Sequence, residues 1–313
     1  MNSDLLRVVL LLVSPLYFAH AFDLTILHLN DHHSHLEQET FGLDVSGLGL
    51  DASPKGNQVQ VTYGGYPRVT TLFRNLESGS NSTMKLHAGD AMTGTSFFSL
   101  FKGLADAEMM HHICFDAMVI GNHEFDDGDA GLAKFIRYLK NDTTCAAKGQ
   151  YNTHSPQTTT MPVLGANVFP RKGSPLGVGN ISNYTIKSFT DSQGRSTRVG
   201  IIGIGIVSKT MRSSFPDKGT VLTDEIKAAQ ENIDVLHSLN VSKIILLTHT
   251  GIDHDKNYAA SLRGVDIIVG GDSHTLLGDE SNTGKVGKSP AGPYPLTNTK
   301  DRDGNTVCIV QAW

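Results

Sequence analysis

Five short polar clusters hold the residues able to bind metal or move protons: Asn30-Asp31-His32-His33, His87-Ala88-Gly89-Asp90, Gly121-Asn122-His123-Glu124, Thr248-His249 and Gly270-Gly271-Asp272-Ser273-His274. Singly they are ordinary. Asp31 or Asp90 alone reads as a cap on the next turn, Asn122 as a turn residue, and one His after an apolar run as a hydrogen-bonded structural residue. Together they ask for another reading. Imidazoles mixed with carboxylates suit Zn²⁺, Mn²⁺ or iron better than Ca²⁺, and no cysteine stands in any cluster to make a structural thiolate site. A donor set larger than one four-coordinate ion needs implies two ions. A carboxylate-bridged pair generates hydroxide near neutral pH and stabilises both the entering and leaving oxygens of a phosphoryl displacement. His35 and His111-His112 lie outside this pattern and read as surface or supporting residues.

The elements that must position these clusters are legible around them. Each cluster follows an apolar, β-branched run: Leu24 to Leu29, Met84 to Leu86, Ala117 to Ile120, Ile244 to Leu247 and Val265 to Val269, with Val199 to Ile204 as a further strand. Between them Tyr66 to Leu76, Gly131 to Leu139 and Asp224 to Leu239 have helical apolar spacing, the last with Thr223 as its expected N-cap. Strand and helix alternate as in a layered α/β domain, where ligands bind beyond the carboxyl ends of the strands, so the five loops are expected to converge. Phe41 to Asn57, Asn152 to Thr160 and the tail from Gly278 to Asn305 read as loops or insertions. An apolar run from Thr306 places Trp313 just inside another strand, which looks like truncation.

The 313 residues suffice for one large domain or two ordinary ones. A net charge of -5 with no long basic run excludes a nucleic-acid polymer as partner, so an anionic substrate must be drawn by local cations. Arg7, the apolar Val8 to Val13 and Ala19-His20-Ala21 form a secretory signal over residues 1–21, with Phe22 as the mature N-terminus. A membrane anchor is the alternative, but Ser14-Pro15 interrupts a segment already too short to span, and no later segment spans. Sequons at Asn81, Asn141, Asn180, Asn183 and Asn240 fit that route. Of Cys114, Cys145 and Cys308, at most two pair within the chain.

The ordered set Asn30-Asp31-x-His33, Gly89-Asp90, Gly121-Asn122-His123-Glu124-Phe125-Asp126, Thr248-His249 and Gly271-x-Ser273-His274 resembles the calcineurin-like metallophosphoesterases, and more closely their 5′-nucleotidase branch, across residues 22–313. The resemblance implies a four-layer α/β sandwich of two central mixed sheets flanked by helices. It implies Asp31, His33 and His274 on one ion, Asn122, His249 and residue 272 on the other, and Asp90 bridging. His123 resembles the family's catalytic histidine, paired with Asp126. The expected reaction is in-line hydrolysis of extracellular nucleoside 5′-monophosphates by metal-activated hydroxide. A phosphodiesterase of nucleotide sugars or cyclic nucleotides, or a secreted binding protein of weakened activity, is the alternative.

The chain departs from the resemblance at two places. The family's last loop usually reads Gly-His-x-His, whereas Asp272 stands here at the first His. With Asp31, Asp90 and Asp272 ionised against two divalent ions the centre is left at +1, one charge below the value with His. Asp272 is therefore expected to ligate and to favour Mn²⁺ or Mg²⁺ at its position, with zinc elsewhere; the alternative is that Asp272 turns away. The second departure is the C-terminal base-binding domain that the resemblance implies, expected beyond Trp313.

Overall fold

The computed structural model describes residues 22–45, 58–141, 145, 160–177, 180–191, 193–283 and 289–313. The chain enters on β1 (Thr25–Leu29), followed by the antiparallel pair β2 (Gln38–Asp44) and β3 (Gln58–Gly64). It then alternates through α1 (Tyr66–Ser78), β4 (Thr83–His87), α2 (Ser96–Phe101), α3 (Leu104–Ile113), β5 (Ala117–Val119), α4 (Gly128–Lys140) and β6 (Val163–Leu164). The second half contains β7 (Val168–Phe169), β8 (Tyr184–Thr190), β9 (Ser196–Gly205), α5 (Val207–Ser213), β10 (Val221–Leu222), α6 (Glu225–Ser238) and β11 (Lys243–His249). It closes with α7 (Ile252–Ser261), β12 (Ile267–Gly270), the short α8 (Glu280–Thr283), β13 (Leu296–Lys300) and β14 (Thr306–Gln311).

Two sheets stack face to face. The first, β1-β4-β5-β6, is parallel throughout. The second, β13-β14-β12-β11-β9-β8, has four parallel inner strands and antiparallel edges. Side chains alternate between the faces of a strand, so one run feeds two interfaces. In β11, Ile245 and Leu247 meet Met84, Leu86 and Val119 between the sheets. Ile244 and Leu246 point the other way, into Ile233 and Leu236 of α6 and Tyr258 of α7. On the far side Phe73, Met110, Phe135 and Ile136 of α1, α3 and α4 cover Leu27 and Met118. The result is the expected four layers, each fully buried aliphatic or aromatic side chain contributing about 1.5–3 kcal/mol.

Several expectations shift. Phe41 to Asp44 lies in β2 rather than in a loop, since Phe41 pairs with Val61 and Leu43 with Val59 across β3; residues 46–57 of that insertion lie outside the described residues. Leu296 to Lys300 is a strand within the expected tail loop. Asp224, not Thr223, caps α6, its carboxylate accepting the Lys227 N–H at 2.7 Å. β14 stops at Gln311, leaving Trp313 beyond it and exposed. Residues 1–21, expected to form a signal, and residues 152–159 lie outside the described residues. Cys114 and Cys145 form a disulfide and Cys308 is free. Among the described residues no helix is long and apolar enough to cross a membrane. Asn81, Asn141, Asn183 and Asn240 are exposed, whereas Asn180 is partly buried and hydrogen-bonded to Lys140 and Leu176.

Candidate metal centre

All five loops meet at one end of the stacked sheets. From the first sheet, the loop after β1 brings Asp31 and His33, that after β4 brings Asp90, and that after β5 brings Asn122 and His123. From the second, β11 ends on His249 and the turn after β12 carries Asp272 and His274. Asp31 Oδ1 lies 3.7 Å from His33 Nε2, 3.4 Å from His274 Nε2 and 3.8 Å from His249 Nε2. Asp90 Oδ2 lies 2.9 Å from His249 Nε2 and 3.9 Å from His33 Nε2. Asp272 Oδ1 is 3.8 Å from His249 Nε2.

His249, His33, Asp31 and Asp90 each have one atom tied to the protein and another aimed inward. His249 Nδ1 donates to Ala88 O at 2.7 Å and His33 Nδ1 to Thr93 O at 3.1 Å, which leaves both Nε2 atoms facing the centre. Asp31 Oδ2 accepts from Asn30 Nδ2 at 2.7 Å and from the Asp272 N–H at 2.9 Å, while Oδ1 is buried without a hydrogen bond, as is His249 Nε2. Asp90 Oδ1 accepts the His123 N–H at 2.9 Å and presents Oδ2. With its oxygen inward the Asn122 amide faces Asp272 Oδ1 at 3.3 Å, acceptor against acceptor; turned over, it donates to that oxygen. His33 and His274 place Nε2 against Nε2 at 3.3 Å. Buried acceptors crowding one another are unfavourable unless a cation lies between them, so this donor set fits divalent ions.

The backbone is bent to achieve this. Of the seven candidate ligands, Asp31, His33, Asp90, Asp272 and His274 have φ of 51°, 44°, 51°, 80° and 48°, a region costly for residues with a Cβ and concentrated at functional sites. Gly121 is needed for a different reason. A Cβ there would stand 2.2 Å from Asp90 Oδ1.

Burial and charge then set protonation. Burial raises the Asp31 carboxyl, but the His274 imidazole 3.4 Å away and the His249 charge outweigh it and hold it well below the usual range. Asp90 is likewise lowered, by His249 against burial. Burial works against an imidazolium at His249, yet Asp90, Asp31 and Asp272 push it up to about 10, a proton standing where a cation would. Burial lowers His33. His123 is half-exposed, and its Nδ1 meets Asp126 Oδ2 at 2.7 Å; that hydrogen bond, opposed by partial burial, lifts the ring to about 9. Asp126 does not cap α4, whose N-cap is Asp127.

Three supporting groups escaped the sequence reading. Glu124, fully buried, accepts the N–H groups of Asp90 at 2.9 Å, Ala91 at 2.8 Å and Gly121 at 2.7 Å, clamping two loops with one carboxylate. Below them Gly89 N–H donates to His87 Nδ1, so the proton of His87 sits on Nε2 and is given to His32 Nδ1 at 2.9 Å; His32 in turn donates to Asp106 at 3.3 Å. The third is Lys209, whose Nζ lies 2.7 Å from each oxygen of Asp272. Adjacency to a ligand was the available signal for Glu124 and His32; Lys209 had none.

A four-layer α/β sandwich thus carries this donor cluster beyond its strand ends. The family model for calcineurin-like phosphoesterase matches residues 24–276, and the chain belongs to that family. It is 38% identical over 293 residues to a probable 5′-nucleotidase of Treponema pallidum, covering 93% of this chain and 43% of that protein. It is 38% identical over 296 residues to the 5′-nucleotidase of Mus musculus, covering 94% and 45%. Among solved structures, the NAD nucleotidase of Haemophilus influenzae matches with a TM-score of 0.77 at 35% identity, over 93% of this chain and half of that one. The chain thus spans half the length of these relatives or less.

Proposed function

We propose that residues 22–313 form the catalytic domain of a secreted, dinuclear-metal phosphomonoesterase that releases phosphate from nucleoside 5′-monophosphates. The observation that carries the dinuclear reading is Asp90, whose Oδ2 stands between His33 and His249 and so between two donor groups. In this reading Asp31, His33 and His274 would hold one ion and Asn122, His249 and Asp272 the other, with Asp90 serving both. Two divalent ions so held would acidify water and neutralise phosphate charge. The imidazoles suit zinc, and the Asp272 carboxylate favours Mn²⁺ or Mg²⁺ at its position.

The chain's own residues supply the rest. The His33 and His249 rings are fixed in tautomer by Thr93 O and Ala88 O, so neither must reorganise to ligate. His123, protonated through its pairing with Asp126, leaves Nε2–H to stabilise charge on a phosphate oxygen or to protonate the leaving oxygen. The nucleotide substrate rests on the names of the relatives. Secretion rests on the pattern of residues 7–21, supported by the disulfide and four exposed sequons.

Metal content of the purified chain, with initial rates on AMP, a cyclic nucleotide, a nucleotide sugar and a dinucleotide in parallel, tests this reading. Two ions per chain and fastest cleavage of AMP are expected. Faster cleavage of the diesters overturns the monoesterase assignment. Two ions with no turnover of a chromogenic phosphate ester would favour a binding role.

A further inference from the structure

Three carboxylates share this centre with side chains almost wholly removed from water: Asp31 at 1%, Asp90 at 3% and Asp272 at 5% exposure. Carboxylates at such depth are strongly disfavoured without compensation. Asp31 and Asp90 face imidazoles. Asp272 also has Lys209, which grips both its oxygens at 2.7 Å while its side chain remains 47% exposed. The placement follows from the second sheet. β9 and β11 run parallel with Gly205 beside His249, and Ile206 N–H donates to His249 O at 3.0 Å, which starts α5 at the edge of the centre. The end of a sixth strand therefore reaches the site, where α5 contributes a cation rather than a ligand. Asp272 Oδ1 is shared: it meets Lys209 on one side, and His249 and Asn122 on the other.

We infer that Lys209, acting through Asp272, makes a net-neutral pair beside the second ion position and so sets the charge of the centre. The inference rests on the dinuclear reading. Three carboxylates and one ammonium leave the ion-free donor set at -2 and the set with two divalent ions at +2, one unit above the count made without Lys209. Ion uptake and phosphate binding respond to that charge in opposite directions, because one ligand is a cation and the other an anion. Removing Lys209 makes the set more negative, and neutralising Asp272 makes it less so.

Two titrations on the intact chain test this: Mn²⁺ into metal-free protein, and inorganic phosphate into ion-loaded protein, for wild type, Lys209→Met, Lys209→Arg, Asp272→Asn and the Met/Asn double variant. Lys209→Met is expected to bind the second Mn²⁺ ~3- to 10-fold more tightly and phosphate ~3- to 10-fold more weakly. Asp272→Asn shifts both the other way, the double variant falls between the two singles on both scales, and Lys209→Arg, which keeps fold and charge, stays with wild type. Lys209→Met leaving both affinities unchanged, or moving both in one direction, overturns the inference while the dinuclear reading stands. A wild-type stoichiometry below two ions overturns both.

Discussion

Asp126 decides what His123 can do. The two are three residues apart in a 3-10 turn, and their 2.7 Å contact raises the imidazole to about 9, so at neutral pH the ring carries a proton it can lend. Because the folded value lies above the unfolded one, the pairing stabilises fully below pH ~6.5 and is lost as pH rises through about 9. Asp126→Asn removes the hydrogen bond and carboxylate that raise the ring. The alkaline limb of kcat/KM is expected to move from near 9 toward neutrality, with at least a ~10-fold loss of rate at pH 8. A pH–rate profile with an unmoved limb would deny His123 its role. Ligand candidates such as Asp31 and His249 were legible because each follows an apolar run beside other polar donors. Lys209 was not, since it lies 63 positions from Asp272 and only the parallel order β9-β11-β12 brings them together.

At the scale of elements, the centre depends on how closely the strand-end turns pack. The β5 turn passes the β4 turn so tightly that Gly121 has no room for a methyl group without displacing Asp90. Gly121→Ala is expected to weaken metal binding about 10- to 100-fold, as for other groups that orient ligands, while the chain still folds; metal titration with thermal melting checks both. The buried strands were readable as continuous apolar runs, and α1, α4 and α6 by their spacing. The remainder obeyed weaker signals. α3 reads Leu104-Ala105-Asp106-Ala107-Glu108-Met109-Met110-His111-His112-Ile113 without a clean polar face, and its Asp106 is buried because His32 and Ser34 bond it. β2 contains Gly42 and Asp44, poor strand formers that pairing with β3 overrides.

Across the whole molecule, the Cys114–Cys145 bridge closes a segment with a sequence separation of 31 that contains β5 and α4. Loop-closure entropy gives it about 3–4 kcal/mol of stability. Cys145→Ser is expected to lower the urea midpoint accordingly and to leave metal stoichiometry unchanged; loss of bound metal in the folded variant would contradict that separation of roles. A longer-range tie has another consequence. Asn30 donates to Asp31 through Nδ2 and accepts the Ala312 N–H at 2.9 Å through Oδ1, so the residue that steadies the first ligand is itself held from the end of β14. Ribosomes make proteins from the N-terminus. A nascent chain thus lays down Asp31, His33, Asp90 and Asn122 early, must wait for His249, Asp272 and His274, and gains the clasp on Asn30 only when residue 312 has been added. Ion loading therefore follows synthesis of residues 249–274, and the tether on Asn30 follows synthesis of residue 312.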